Sequence, residues 1–158
     1  MTHFLGTFSG KLDKKGRVSV PASFRAALER LGTEELIFRP SHTHPCVEAW
    51  PAPFFAALSE GLNTLDAFSD AHDEMAMALF SEACPLRPDG EGRIVLPESL
   101  IVHGGLGEAV CFVGVGRTFQ LWEPAAAKRR MDEARERARA RGLTVPAPSQ
   151  GQNPGRPA

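Results

Sequence analysis

Residues 12–21 read LDKKGRVSVP, and residues 88–97 read PDGEGRIVLP. A pattern D-x-x-G-R-(V/I)-x-(V/L)-P written twice in one short chain constrains the fold more than any other feature. An internal repeat implies two copies of one structural unit. A shift of 76 residues maps Asp13 to Asp89, Gly16 to Gly92, Arg17 to Arg93, Pro21 to Pro97 and Phe24 to Leu100. Further on the shift drifts but the pattern returns. ELIFRP at 35–40 resembles AVCFVG at 109–114, and VEAWPAPF at 47–54 resembles FQLWEPAA at 119–126, with Trp50 opposite Trp122. The expected organisation is a first unit over 2–54, linking helices over 55–81 and a second unit over 82–126. An exposed helix over 127–142 and a disordered tail over 143–158 follow.

Within a unit the local signals agree. Thr7–Leu12 is expected as a strand, and the four residues after it as a turn, with Asp at its first position and Gly where φ is positive. Arg17–Val20 alternates like a second strand. Pro21 suits the first turn of a helix, Phe24, Leu28 and Leu31 follow at i, i+4 and i+7, and Gly32 is a natural stop. Strands at Leu36–Arg39 and near Cys46–Trp50 complete a reading of hairpin, short helix, hairpin. In the second unit the helix after Pro97 should be very short, because Gly104, Gly105 and Gly107 arrive quickly. Between the units, Ala52–Leu58 and about Asn63–Phe80 read as helices. Asn63 or Thr64 would cap the second, and Leu65, Phe68, Met75 and Leu79 would form its apolar face. Pro124 to about Arg141 has strong helix formers and few large apolar residues, so it should be a largely exposed helix.

The chain has 158 residues, enough for one or two small domains around one sizeable core. No run of about 18 apolar residues predicts a membrane span, and MTHFLGTFSG lacks the pattern of a signal peptide. Cys46, Cys84 and Cys111 are an odd number without C-x-x-C spacing, which argues for a reducing cytoplasm and against a disulfide framework. The net charge of −1 conceals a segregation. Residues 1–40 carry seven Lys/Arg against four acids, 59–91 one against eight, and 123–141 seven against four. Such segregation can put a positive face on a neutral protein.

Asp and Gly are what a tight turn asks for, and Arg17 need only pair with Asp13 to explain a single copy. Two features point further. The first copy adds Lys11, Lys14 and Lys15 beside Arg17, and the repeat offers two such turns from one body. Ribbons of this kind enter major grooves. The lysines would then contact phosphate, Arg17 a guanine edge, and Asp13 would orient Arg17.

Other clusters lead nowhere comparable. His42, His44 and Cys46 alternate, but Pro45 breaks the alternation and no fourth metal ligand is near. Cys84 and Cys111 sit in packing contexts, and His72 and Asp73 meet no evident nucleophile. GGLG at 104–107 is neither a dinucleotide fingerprint nor a P-loop. Nothing assembles a catalytic set, so neither an enzyme nor a cofactor nor a small-molecule substrate is expected. Lys128, Arg129, Arg130, Arg135, Arg137, Arg139 and Arg141 are interleaved with Asp132, Glu133 and Glu136, which suits a solvated helix held by i,i+4 pairs.

LDKKGRVSVPASFR at 12–25, DGEGRIVLPESL at 89–100, HPCVEAWP at 44–51 and FQLW at 119–122 together resemble the MraZ family of bacterial transcriptional regulators, related to AbrB-type transition-state regulators. The resemblance covers about residues 1–140. It implies an α+β fold, a tandem pseudo-twofold repeat of swapped-hairpin β-barrel units with flanking helices. It implies a sequence-specific DNA-binding repressor of repeated elements upstream of the division and cell-wall gene cluster. It also implies assembly as a homo-oligomeric ring, in the cytoplasm and associated with the nucleoid. The family's contact signature maps to Asp13 and Arg17, and in the second copy to Asp89 and Arg93. A structural ring whose turns only pair with neighbouring subunits is the alternative reading.

Overall fold

The computed structural model describes residues 3–148. Of the expected tail, residues 149–158 lie outside the described residues, as does Thr2 of the first unit; residues 143–148 are exposed and form neither helix nor strand.

The element order is β1 (Thr7–Lys11), β2 (Arg17–Ser19), α1 (Ala22–Leu31), β3 (Leu36–Pro40), β4 (Val47–Pro51) and α2 (Ala52–Glu60). After a short 3₁₀ turn come α3 (Asp70–Phe80), β5 (Cys84–Leu86), β6 (Arg93–Val95), α4 (Glu98–His103), β7 (Ala109–Gly114), β8 (Phe119–Trp122) and α5 (Pro124–Ala140). Six strands form one open antiparallel sheet in the order β1-β7-β8-β4-β3-β5, and β2 with β6 forms a separate ribbon.

The pairing corrects the expected first hairpin. Thr7–Lys11 and Arg17–Ser19 are strands, but they are not each other's partners. β1 pairs with β7, placing Ser9 opposite Cys111, and β2 pairs with β6. β5 likewise pairs with β3, and β4 with β8. Strands from the two halves of the chain therefore interleave. The sheet ends in edges at β1 and β5 and does not close into two barrels. The apolar residues explain why. Val18, Val20, Ile94 and Leu96 are all buried, in one core with Phe24, Phe38, Phe112 and Phe119. The rings of Phe24 and Phe119 lie 4.8 Å apart and those of Phe4 and Phe24 5.4 Å apart. Each such Phe contributes on the order of 1.5–3 kcal/mol by burial, and neither half of the sequence alone supplies the set.

The helices beside the ribbon start alike. Pro21 sits one residue before α1, and its carbonyl accepts from Phe24 and Arg25 N–H groups at 2.9 and 3.0 Å. Pro97 does the same for Leu100 and Ile101 ahead of α4. Proline stands at the cap because its fixed φ delivers an extended chain into the helix without needing its missing N–H. Gly32 ends α1 at φ +74°, as its spacing predicts. α4 has only six residues, again as expected.

The helix expected over 63–80 is shorter than predicted. Gly61–Thr64 makes a 3₁₀ turn, Leu65 is extended, and α3 begins only at Asp70. Ser69 is the cap, its Oγ accepting from His72 N–H at 3.1 Å. Asp66 and Ser69 offer the backbone local hydrogen bonds that compete with the helix. Phe68, expected on the apolar face, is 97% exposed.

α3 is tied to the sheet by a residue the sequence reading passed over. Arg39 on β3 is 1% exposed. Its Nη1 donates to Glu48 Oε1 at 2.7 Å, and its Nη2 donates to Ala78 O in the last turn of α3 at 3.0 Å. Nη2 also lies 3.1 Å from His42 Nδ1. Trp50 Nε1 donates to the same Glu48 oxygen at 3.0 Å.

The described residues divide into two compact units, one running through Ala127 and one beginning at Lys128. The second consists of the rest of α5 and the segment after it. Its three acids are all paired: Asp132 with Lys128 and Arg135, Glu133 with Arg130 and Arg137, and Glu136 with Arg139. At the start of α5, Glu123 carboxylate oxygens accept from Ala125 and Ala126 N–H groups at 3.0 and 2.8 Å. No helix among the described residues is long and apolar enough to cross a membrane.

Candidate nucleic-acid interface

The two D-x-x-G-R segments build the same turn. In the first, Asp13 N–H donates to Arg17 O at 3.0 Å and Gly16 N–H donates to Asp13 O at 3.1 Å. The Asp13 carboxylate then takes three donors: Lys15 N–H at 2.9 Å and Arg17 N–H at 2.8 Å on Oδ1, and Arg17 Nε at 2.7 Å on Oδ2. In the second, Asp89 N–H donates to Arg93 O and Gly92 N–H to Asp89 O, both at 2.9 Å. Asp89 Oδ1 accepts from Glu91 N–H at 2.8 Å and Arg93 N–H at 3.0 Å, and Oδ2 from Arg93 Nε at 3.2 Å. The motif's spacing follows from this geometry. The carboxylate folds over the turn to reach N–H groups two and four residues on, as Asp does in Asx turns. The same carboxylate fixes the arginine's direction.

These donors perturb both acids. The backbone N–H of Arg17, followed by its side chain, holds the Asp13 carboxyl below the usual carboxylate range. The backbone N–H of Arg93 is the main cause of the same lowering at Asp89, with Glu91 N–H and the Arg93 charge adding to it.

Each turn is braced by the other. Gly16 O accepts from Leu96 N–H and Gly92 O accepts from Val20 N–H, both at 2.8 Å. Gly16 has φ +82°, and a Cβ on it would lie 2.9 Å from Leu96 O. Gly92 has φ +81°, and a Cβ there would lie 2.6 Å from Arg25 Nε. These are conformations and spaces that glycine fills at least cost.

The ribbon between the turns sets the side chains' faces. Arg17 pairs with Val95, Val18 with Ile94 and Ser19 with Arg93. Val18 and Ile94 face the core, so Arg17, Ser19, Arg93 and Val95 share the outward face. Ser19 and Val95 were not singled out by the sequence reading. The period-2 alternation of R-V-S and R-I-V is the signal that places them beside the arginines.

The charge on the two turns differs. Lys14 and Lys15 stand exposed on the first turn and Lys11 at the end of β1, with Asp13 as the local acid. On the second, Gly90 and Glu91 replace the lysines, and Glu91 Oε2 lies 3.3 Å from Arg93 Nη2. Arg93 is thus held by two acids and Arg17 by one.

The other sequence candidates stay apart. His42 meets Arg39, and the His44 ring packs 6.1 Å from Trp122. Cys46 and Cys111 are buried, and burial pushes the Cys111 thiol up. Among the described residues no group of three His, Cys, Asp or Glu is arranged to hold a metal ion.

A family model described as "MraZ protein, putative antitoxin-like" matches residues 3–77 and 79–142. A protein named transcriptional regulator MraZ from Gluconacetobacter diazotrophicus is 54% identical over 158 residues, covering 98% of each chain. One from Gluconobacter oxydans is 51% identical over 142 residues, covering 88% of this chain and 87% of that protein. One from Pelagibacter ubique is 42% identical over 135 residues, covering 85% and 87%.

Proposed function

The chain belongs to the MraZ family, and on that premise we propose that it is a sequence-specific DNA-binding transcriptional regulator. In this reading it is a cytoplasmic, nucleoid-associated repressor and not an enzyme. It acts as a ring oligomer on repeated elements upstream of the division and cell-wall gene cluster. The names of its relatives support the regulatory role. The observation that carries the DNA reading is the pair of equivalent turns that hold Arg17 and Arg93 on one exposed ribbon face. Arg17 supplies close contact to base or phosphate, Lys11, Lys14 and Lys15 supply phosphate affinity, and Asp13 sets the arginine's direction. Asp89 and Arg93 repeat that arrangement with less charge.

The fold reading is a tandem of swapped-hairpin units over 2–54 and 82–126. Exchanging the halves carries the β1·β7 pairing onto β5·β3 and leaves β2·β6 and β4·β8 in place, which supports it. The two stretches of the family match support it too.

A ring suits so small a charge. About four cationic contacts per subunit lose on the order of 10²-fold in affinity between 50 and 200 mM salt. Several copies on repeated elements recover useful strength through effective concentration. The test is binding to the upstream DNA of its own operon at two salt concentrations, wild type beside Arg17→Ala and Arg93→Ala. Arg17→Ala should lose binding with its assembly mass unchanged. Loss of the assembly together with binding would instead favour a scaffold role for the turns.

A further inference from the structure

We propose that Ser19 and Val95 are specificity residues of the ribbon, Val95 taking the methyl group of a thymine in the major groove and Ser19 a polar base edge. The proposal rests on the DNA-binding reading above and names what the same face recognises.

The outward face of β2·β6 is a grid of four side chains, Arg17 beside Val95 and Ser19 beside Arg93. Neighbouring strands lie about 4.8 Å apart and alternate residues about 7 Å apart. The grid therefore spans two or so base-pair steps of about 3.4 Å, and a two-stranded ribbon fits the roughly 12 Å major groove. Three of the four residues are polar. The fourth, Val95, is 54% exposed on a ribbon whose inward residues are fully used by the core. A β-branched apolar side chain between arginines gains nothing from water, but it matches the thymine methyl, the one apolar group on a major-groove edge.

The motif shift of 76 places Ser19 and Val95 at equivalent positions. The turns share one backbone geometry and each carries its arginine at the same place, yet this pair differs in kind, one a hydroxyl and one an isopropyl group. The ribbon thus presents like scaffolds with unlike readers, so the sequence it prefers is not palindromic at this step.

The experiment is binding of the full chain to fragments carrying the repeated upstream elements, with each thymine of one element replaced in turn by uracil, which lacks only the methyl. Loss of one buried methyl should weaken wild-type binding about fourfold at one thymine position, a cost of about 0.8 kcal/mol. Val95→Ser should bind the thymine and uracil forms equally at that position, and Val95→Thr, which keeps a methyl, should retain part of the difference. Ser19→Val should create a second methyl-sensitive position. Wild-type binding indifferent to every uracil replacement, or Val95→Ser still sensitive at the same position, overturns the proposal and leaves the DNA reading standing. Failure of wild type to bind any fragment overturns both.

Discussion

Arg17 and Arg93, far apart in the chain, are diagonal neighbours on one face of the β2·β6 ribbon, because Arg93 pairs with Ser19, two residues along β2 from Arg17. Diagonal positions in an antiparallel pair lie about 7–8 Å apart, so the two turns offer their arginines to a single site. They do not offer them equally. Glu91 adds a second acid to Arg93 at 3.3 Å, where the equivalent position of the first turn holds Lys15. Glu91→Lys should therefore free Arg93 and add a phosphate contact. The expected result is tighter DNA binding at low salt, and a log–log salt slope steeper by about 1. Fluorescence anisotropy across a salt series checks both. Unchanged slope would mean that the second turn does not reach the duplex.

The two motif glycines should differ in how much they matter. Both have positive φ, which costs any other residue on the order of 1–3 kcal/mol. A Cβ on Gly16 would also press on Leu96 O, a backbone atom fixed by the ribbon. A Cβ on Gly92 would press on the Arg25 side chain, which can swing away at the cost of its bond to Val20 O. Gly16→Ala should thus destabilise the protein more than Gly92→Ala, and urea unfolding of the two variants measures the difference.

Much of this was legible in the chain, and the part that was not has a physical reason. Phe24, Leu28 and Leu31 with Gly32 mark α1 because helix period and a left-handed stop are local properties. The Asp13 and Asp89 turns are local for the same reason. Strand partners are not. Alternation in R-V-S-V tells which side of a strand is wet, but β1 and β7 would look the same beside any neighbour. The turn that joins β1 to β2 invites a hairpin that the shared phenylalanine core overrides. Arg39 was missed because a charged residue next to Pro40 reads as surface. Its burial is decided by Glu48 and the end of α3, neither of which is near it in sequence.

Acid should loosen the turns later than ordinary carboxylates would. Asp13 and Asp89 are both held below their usual range by the N–H groups they accept. A depressed folded value means that each carboxylate adds stability present above its ordinary value of about 3.9, and lost as pH falls through the folded value. Side-chain carboxyl shifts by NMR should titrate below that ordinary value at both residues. Asp13→Asn keeps one acceptor oxygen but faces Arg17 Nε with an amide. It should remove the acid-sensitive step assigned to the first turn and leave that of the second.

Arg39 gives the sharpest stability prediction. Its guanidinium joins Glu48, His42 and the Ala78 carbonyl, so it connects β3, β4 and the end of α3 in one contact set. Removing one partner of a largely buried ion pair costs about 3–5 kcal/mol, because the remaining charge is left without compensation. Arg39→Ala should pay that cost and also leave the last turn of α3 without a donor for Ala78 O. Arg39→Met with Glu48→Leu removes both charges and should recover most of the stability while leaving α3 loose. Urea unfolding reads the first effect, and amide hydrogen exchange over residues 70–80 reads the second. Trp50 offers an internal check, since its indole N–H shares the Glu48 oxygen at 3.0 Å. Its fluorescence should respond to the Arg39→Met with Glu48→Leu pair even where overall stability does not. If Arg39→Ala and the double variant were equally unstable, the charge pair would be irrelevant and the loss would come from the helix contact alone.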